Sequence, residues 1–340
     1  MELGRLPYKF NIQIALDLGK TTNPLLFKHM INYIFKKIRL FFEAIYYDVK
    51  YKSTSDKRQG IQILNCNDSI KYVKDNKCSV SRFGDGELSM IFNQYDSKDR
   101  KSGFQIFDKT LAKRLENILK EGGNPKINHI VGLPGCMLIS PSYMTGGAHR
   151  FWKRYAVNNI DLLNKFINRN SKYIDSTFSR FYIEYKNKKN SENIYKCIKS
   201  IWTNRDIVII EGEKTRMGVG NDLFSNAISV KRILGPSINA YEKYDEILNL
   251  IIEKVSPNSD KLILLALGMT ATILARDLAN FGYQAIDIGH VDIEYEWMLR
   301  KTKKKISIPG KYTNESKSQK YIEVNIDQIY LSQIIGQIKI

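Results

Sequence analysis

The sequence has few of the features that mark secreted, disulfide-bonded or membrane-spanning proteins. Four cysteines are spread over 340 residues (Cys66, Cys78, Cys136 and Cys197), and their spacing matches neither a zinc site nor a redox motif. No window holds the roughly 18 uncharged apolar residues of a spanning helix. The N-terminus lacks the charged start, apolar run and cleavage site of a secretory signal. These absences predict a cytoplasmic protein with reduced thiols.

Acidic residues are also in the minority. Asp and Glu number 35 against 53 Lys and Arg, so the formal net charge is +18. A strongly basic chain favours anionic partners such as nucleotides, anionic lipid or nucleic acid. No DNA- or RNA-binding motif is present, so nucleic-acid binding remains only an alternative. The hydrophobic content of 43% supports a large buried core.

Hydrophobic patterning divides the chain into three parts. Residues 1–60 read as an N-terminal helical appendage. Residues 61–300 alternate strand-like and helix-like runs, with a helical insertion at about 150–203. This alternation predicts an α/β fold with a Rossmann-like, mostly parallel sheet flanked by helices. Residues 301–340 read as a basic linker, with seven Lys against one Glu in 301–320, followed by a C-terminal extension able to form an edge element.

The individual elements of the central part follow from the same patterns. Strands are predicted at Ser79–Phe83, His129–Leu133, Asp206–Glu211, Lys231–Leu234, Leu262–Leu267 and Ala285–Ile288. Helices are predicted at Asp108–Glu121, Ser191–Thr203, Tyr241–Val255 and Thr270–Phe281.

The appendage contains an amphipathic helix between residues 25 and 47. At helical spacing, apolar and aromatic side chains fall on one face and mostly basic ones on the other. Such a helix could lie on an anionic membrane surface. It could equally pack on a protein core and leave its basic face in water.

The first chemically informative motif is Arg-Phe-Gly-Asp-Gly-Glu, which begins at Arg82 and follows a predicted strand. Asp85 and Glu87 would project from the loop at the carboxyl end of this strand, where open α/β sheets form their ligand crevice. Gly84 and Gly86 would allow positive φ and close approach of a ligand. Two hard oxygen ligands suit a divalent metal that carries a diphosphate, to which Arg82 could add a cation. The alternative is a turn with solvated acids.

A second motif follows the predicted strand that ends at Glu211. Its loop carries glycines and basic residues that could cradle phosphate together with backbone N–H groups, although the Gly-Lys-Ser/Thr order of a P-loop is absent. The candidate phosphate contacts are Gly212, Lys214, Thr215, Arg216, Gly218, Gly220 and Asn221. A flexible surface loop is the alternative.

Two further segments complete the crevice. Gly268 lies between a strand and a helix, as in a nucleotide-binding βαβ unit, but the full G-x-G-x-x-G is missing and a dinucleotide is not indicated. After the last predicted strand, His290 could bind a metal, and Asp292 or Glu294 could act as general base. The acids could instead be the first turn of a helix, where they favour its dipole.

Three motifs in this order resemble the bacterial GT-D-type glycosyltransferase family over roughly residues 65–300. They are Arg-Phe-Gly-Asp-Gly-Glu, Glu-Gly-Glu-Lys-x-Arg-x-Gly-x-Gly-Asn-Asp-Leu-Phe and Asp-Ile-Gly-His-x-Asp-x-Glu-Tyr-Glu-Trp. The resemblance implies a GT-D-type fold, a UDP-sugar donor and Mn²⁺ or Mg²⁺. It assigns Asp85 and Glu87 to the metal and diphosphate, and Arg82 and the Gly212–Asn221 loop to the donor phosphates. His290 as a metal neighbour, and Asp292 or Glu294 as base, follow from position alone.

The resulting hypothesis is a metal-dependent glycosyltransferase. It would move a hexose such as glucose from a UDP-sugar to a glycan acceptor, lipid-linked or protein-linked, in surface polysaccharide or glycoprotein biosynthesis. The helix within 25–47 would hold it at the inner face of the cell membrane. The alternatives are a metal-dependent phosphohydrolase that uses the same carboxylates, a basic nucleic-acid-binding protein and a catalytically inactive membrane scaffold.

Overall fold

A mostly parallel sheet organises the larger part of the chain. The computed structural model describes residues 24–94, 105–257, 260–312 and 327–338, and for residues 24–28 and 30 the backbone alone. Two compact units are distinguished, Met1–Ser53 and Thr54–Ile340. The described part of the first unit is helix α1, Pro24–Ser53, which contains the predicted amphipathic segment. Among the described residues, no helix combines the length and apolarity that crossing a bilayer requires.

The second unit contains ten strands among the described residues. They are β1 Gln62–Ile63, β2 Ser79–Arg82, β3 Gly123–Asn124, β4 His129–Leu133, β5 Lys172–Asp175, β6 Asp206–Gly212, β7 Ser229–Gly235, β8 Leu262–Ala266, β9 Gln284–Asp287 and β10 Ile334–Gln337. The α-helices are α2 Cys66–Asn76, α3 Asp85–Phe92, α4 Lys109–Glu121, α5 Gly135–Leu138, α6 Gly146–Leu163, α7 Ser191–Lys199, α8 Tyr244–Lys254, α9 Met269–Asn280, α10 Val291–Leu299 and α11 Gln328–Gln333. Short 3₁₀ turns lie at Asp56–Arg58, Pro125–Ile127, Ser176–Ser179 and Ala240–Lys243.

The strand order divides the sheet into two halves. The order is β1-β5-β4-β2-β9-β8-β6-β7-β10, with β3 paired only to β4. Strands β1 to β5 therefore fill one side of the sheet, and β6 to β10 fill the other. The two halves meet where β2 lies beside β9, through the pair Val80 and Ile286. Every strand pair is parallel except β3 with β4. The central strands β6 and β8 are continuous apolar runs because helices cover both faces of a parallel sheet.

The predicted fold class, an α/β protein with a mostly parallel sheet flanked by helices, is confirmed. All six predicted strands and all four predicted helices are present, with ends displaced by a few residues. The region 150–203 differs from the helical insertion that was predicted, because β5 lies within it and pairs with β1 and β4. A four-residue strand in a Lys- and Asn-rich context has little pattern of its own, and its neighbours in the sheet decide its conformation.

The C-terminal part is more ordered than a solvated linker. Ile308 is buried, and the Trp297 indole donates to the carbonyl of Ile306 at 2.9 Å. Strand β10 forms a parallel edge beside β7. Residues 313–326, which include part of the predicted basic linker, lie outside the described residues.

One buried histidine makes the stability of this fold sensitive to acid. The imidazole of His129 in β4 is 4% exposed, and its Nε2 lies 2.8 Å from Ser81 Oγ. Burial lowers the pKa of His129 from 6.5 to about 4. The unfolded chain therefore takes up this proton at higher pH than the folded chain, and stability is lost as pH falls from about 6.5 towards 4.

We expect His129→Gln to remove this dependence. The fall in unfolding free energy between neutral pH and pH 4 should be smaller in the variant than in the wild type by up to ~3 kcal/mol. Urea unfolding at a series of pH values measures both proteins. Parallel pH curves for the two proteins would contradict the assignment.

Candidate functional site

A cavity of about 610 Å³ lies at the carboxyl ends of the central strands. One wall is formed by residues 82–87, which follow β2, by Gly268 and Met269 after β8, and by Asp287, Gly289 and His290 at the end of β9. A second group of lining residues comes from α6 and from the segments that follow β5 and α10. The cavity thus lies above the junction of the two half-sheets, the position where open α/β sheets bind ligands.

Arg82 ties the elements of this junction together. Its Nε donates to the carbonyl of Asp287 at 2.8 Å, its Nη2 to Asp287 Oδ1 at 3.0 Å, and its Nη1 to the carbonyl of Ser176 at 3.0 Å. Thr272 Oγ1 donates to the carbonyl of Arg82 and lies 3.3 Å from Asp287 Oδ2. Arg82 lines the cavity, but most of its donors hold β2, β9 and the turn after β5 in place.

Gly289 is required by the position of Arg82. It adopts a φ of +53°, and a Cβ at this position would overlap the Arg82 guanidinium. A glycine is therefore needed here for the backbone conformation and for the space.

Asp85 and Glu87 lie in the first turn of a helix, and the prediction that they project from a loop was wrong. Helix α3 begins at Asp85, and Glu87 Oε2 accepts a hydrogen bond from the backbone N–H of Gly84 at 2.8 Å. Acids in a first turn are favoured by the helix dipole. Neither Gly84 nor Gly86 has a positive φ; a Cβ on Gly84 would lie 3.2 Å from Glu87 Oε2, and one on Gly86 3.2 Å from Met269 Cε. A side chain at either position would therefore need Glu87 or Met269 to shift slightly.

The electrostatics at Glu87 are unusual for a carboxylate. Burial, followed by the charge of Asp287, raises its pKa to about 7, although the N–H of Gly84 and the Arg82 charge act in the other direction. Both Asp85 and Glu87 line the cavity. A positive charge bound at this wall would relieve the repulsion between Glu87 and Asp287.

Asp292 lines the cavity but is held by donors on both carboxylate oxygens. Its Oδ1 accepts from the N–H of Gly218 at 2.9 Å and from Asn221 Nδ2 at 2.8 Å. Its Oδ2 accepts from Lys311 Nζ at 2.6 Å, and Lys311 also contacts Glu296 at 3.2 Å. The predicted phosphate contacts Gly218 and Asn221 therefore bind a protein carboxylate, and Asp292 connects the Gly212–Asn221 loop to α10.

Of the remaining residues of the predicted phosphate loop, only Thr215 lines the cavity. Arg216 is buried, with Nη1 3.4 Å from the carbonyl of Gly310 and its guanidinium over the Tyr330 ring. Lys214 is half exposed, Gly212 belongs to β6, and Gly220 has a φ of +78°. Beside the predicted Thr215, Met217 of this loop also lines the cavity.

His290 and Glu294 differ in their relation to the cavity. His290 lines it at the start of α10. Glu294 is 1% exposed and accepts from the N–H groups of Tyr182 and Ile183 at 3.2 and 2.8 Å, so the structure gives it a structural contact and no access to the cavity. Within the described ranges, no group of three or more His, Cys, Asp or Glu side chains is arranged to hold a metal by itself.

This second group of lining residues, which forms the wall with α6, was not predicted from the sequence. Tyr155 OH donates to the carbonyl of Asp85 at 3.0 Å, which fixes α6 beside α3. Lys305 pairs with Glu184 at 2.8 Å, across segments 121 residues apart. The cavity residues of this wall that the prediction missed include Phe151, Trp152, Thr177, Arg180, Glu184, Lys305 and Tyr312. A cluster of aromatic residues around Trp152 was the available signal.

Comparison with known proteins identifies the fold and the family. Residues 80–316 match the family model described as the glycosyltransferase GT-D fold. The chain belongs to the GT-D glycosyltransferase family. This confirms the resemblance that the three sequence motifs indicated.

Two curated relatives of this GT-D chain are streptococcal. It is 35% identical over 279 residues to glycosyltransferase GlyD of Streptococcus pneumoniae serotype 4, covering 82% of this chain and 33% of GlyD. It is 35% identical over 285 residues to the probable glycosyl transferase Gly of Streptococcus gordonii, covering 82% of this chain and 39% of Gly. The chain therefore spans less than half the length of these relatives.

Solved structures share the GT-D fold over their whole length. A structure described as domain of unknown function 1792 with a distinct glycosyltransferase fold has a TM-score of 0.77 and 35% identity, over 85% of this chain and 100% of the other. A glycosyltransferase (DUF1792) from Streptococcus sanguinis has a TM-score of 0.75 and 34% identity, over 82% and 100% of the two chains.

We expect Gly289→Ala to destabilise the GT-D unit through Arg82. The natural control is Gly220→Ala, because Gly220 also has a positive φ but a Cβ there would meet no atom within 4 Å. The control should cost about 1 kcal/mol of backbone strain, and Gly289→Ala roughly 2 kcal/mol more because overlap adds to that strain. Urea unfolding measures both. Equal losses would show that Arg82 moves aside freely.

Lys311→Met should also destabilise the protein, because it leaves the buried Asp292 without its cation and Glu296 with Arg300 alone. The expected loss of unfolding free energy is ~3 kcal/mol. The control Lys305→Met breaks a pair whose two side chains are each 30% exposed, and it should cost less than about 1 kcal/mol. If the two variants unfold at the same denaturant concentration, the buried cluster does not stabilise the loop as described.

Proposed function

We propose that the protein transfers a hexose from a UDP-sugar to a glycan acceptor, with a divalent cation bound beside Asp85 and Glu87. The observation that supports this most is the placement of both carboxylates, His290 and the anchored Arg82 around one cavity, at the junction of β2 and β9. The streptococcal relatives are named as glycosyltransferases, which supports the reaction class.

The donor set fits a cation that is completed by its ligand. Asp85 and Glu87 offer hard oxygens of the kind Mg²⁺ and Mn²⁺ prefer. The described residues supply no complete three-residue cluster, so oxygens of a bound diphosphate would fill the remaining positions. When bound, such a cation would neutralise the diphosphate and make UDP a better leaving group.

The protein side chains would orient the two substrates. Arg82 cannot swing freely, because Asp287 and Ser176 hold its guanidinium, so it presents a fixed positive charge at the diphosphate end. The wall with Phe151, Glu184 and Lys305 would face the acceptor, since aromatic faces and charged groups suit sugar rings and hydroxyls. Asp292 and Glu294 are not proposed as the base, because backbone or side-chain donors already hold their carboxylates.

Asp85→Asn tests the cation site directly. Removal of this charge should lower UDP release from UDP-glucose by on the order of 100-fold, the usual cost of losing a group that stabilises transition-state charge. The control is Asp75→Asn on the exposed side of α2, which should keep wild-type activity. The same assay is repeated with other UDP-hexoses as donors and with simple glucosides as acceptors.

Calorimetry of UDP binding separates the cation from catalysis. UDP should bind more weakly in the presence of a chelator than with Mn²⁺, and this difference should vanish in Asp85→Asn. Full activity in the variant, or in the chelator, would overturn the cation site. Release of inorganic phosphate without any acceptor would favour the phosphohydrolase alternative.

A further inference from the structure

Helix α1 presents a broad apolar face to solvent. Between Ile31 and Val49, nine apolar side chains fall within an arc of about 140° at 100° per residue. They are Ile31, Ile34, Phe35, Ile38, Phe41, Phe42, Ile45, Tyr46 and Val49. Phe35 is 66% exposed, Phe42 64% and Val49 61%. Single exposed apolar residues are ordinary, but a contiguous stripe with four aromatic rings marks an interaction surface.

Basic residues border this face. From Ile31 to Ser53 the helix has five basic residues, Lys36, Lys37, Arg39, Lys50 and Lys52, against two acidic ones, Glu43 and Asp48. Arg39 and Lys50 follow one edge of the apolar arc, Asp48 and then Lys37 follow the other, and Lys52 lies at the angle of the arc beyond its last apolar residue. An apolar face bordered by cations matches the boundary between lipid chains and anionic headgroups.

The charges also determine how the helix would bind. Lys36, Lys37 and Arg39 lie near the middle of its length, where a bilayer-spanning orientation would place them in hydrocarbon at high cost. Parallel to the surface, Lys37 and Arg39 reach headgroup phosphates while Phe35 and Phe42 enter the acyl region. Pairing with a second copy would bring the basic borders of two helices together, so repulsion disfavours it.

We propose that α1 binds anionic bilayers by lying in their headgroup region, with Phe35, Ile38, Phe42 and Ile45 inserted. This inference depends on α1 alone and does not require the proposed reaction. If the acceptor is lipid-linked, binding of α1 to the bilayer would keep the enzyme at the surface where that acceptor lies.

Vesicle flotation of the full chain tests the proposal. The wild type should float with vesicles in which about one third of the lipid is phosphatidylglycerol and should remain unbound with pure phosphatidylcholine, because cationic side chains gain only from the anionic lipid. Phe35→Ser/Phe42→Ser and Lys37→Glu/Arg39→Glu should each lower the partition coefficient at least about tenfold. High salt should weaken binding of the wild type.

Matched controls lie in the other unit. Ile228→Ser removes an apolar side chain that is 68% exposed, and Lys126→Glu/Lys196→Glu changes the net charge as much as the α1 variant does. Both controls should float like the wild type, and circular dichroism checks that all variants fold. Equal binding by controls and α1 variants, or none by the wild type, would overturn the proposal. So would a dimer in sedimentation that Phe35→Ser/Phe42→Ser converts to a monomer without any vesicle binding.

Discussion

The contact of Arg82 with Asp287 is the interaction on which the site depends. β2 and β9 are neighbours in the sheet but belong to its two halves, and only one residue pair of their backbones is in register. The guanidinium extends this short pairing by binding the carboxylate and the carbonyl of Asp287 and, from the same planar group, the carbonyl of Ser176. A planar fork with several donors can do this, whereas the single ammonium of a lysine cannot.

The consequence is a cavity with a preset charge distribution. Asp287 is committed to Arg82, yet its charge still raises the pKa of Glu87 across the junction. Elsewhere around the cavity, Lys311 pairs with Asp292 and, together with Arg300, with Glu296, and Lys305 is bound to Glu184. Most charges around the cavity are therefore already paired within the protein. A cation bound at the wall with Asp85 and Glu87 would stabilise the charged form of Glu87, which burial and the Asp287 charge disfavour.

Predictions from the sequence succeeded where the signal is local and repeated. Apolar runs such as Ile207–Ile210 and Leu262–Leu265 are long enough to identify buried parallel strands, and all predicted strands were found. They failed where a segment takes its conformation from distant neighbours. Strand β5 needs β1 and β4 beside it, and the 305–312 segment, basic in composition, is held by Trp297, Asp292 and Glu184.

The sequence by itself determined the α/β class, the family and the presence of carboxylates, histidine and arginine after the right strands. Only the tertiary structure decided what each residue does there. Gly218, Asn221 and Arg216 have the composition of an anion-binding loop, but a buried Asp292 and the C-terminal segment occupy their donors. The physical reason is that a backbone N–H, an amide or a guanidinium binds a protein carboxylate or carbonyl as readily as a ligand phosphate. Which partner it meets depends on the packing of residues far apart in the chain.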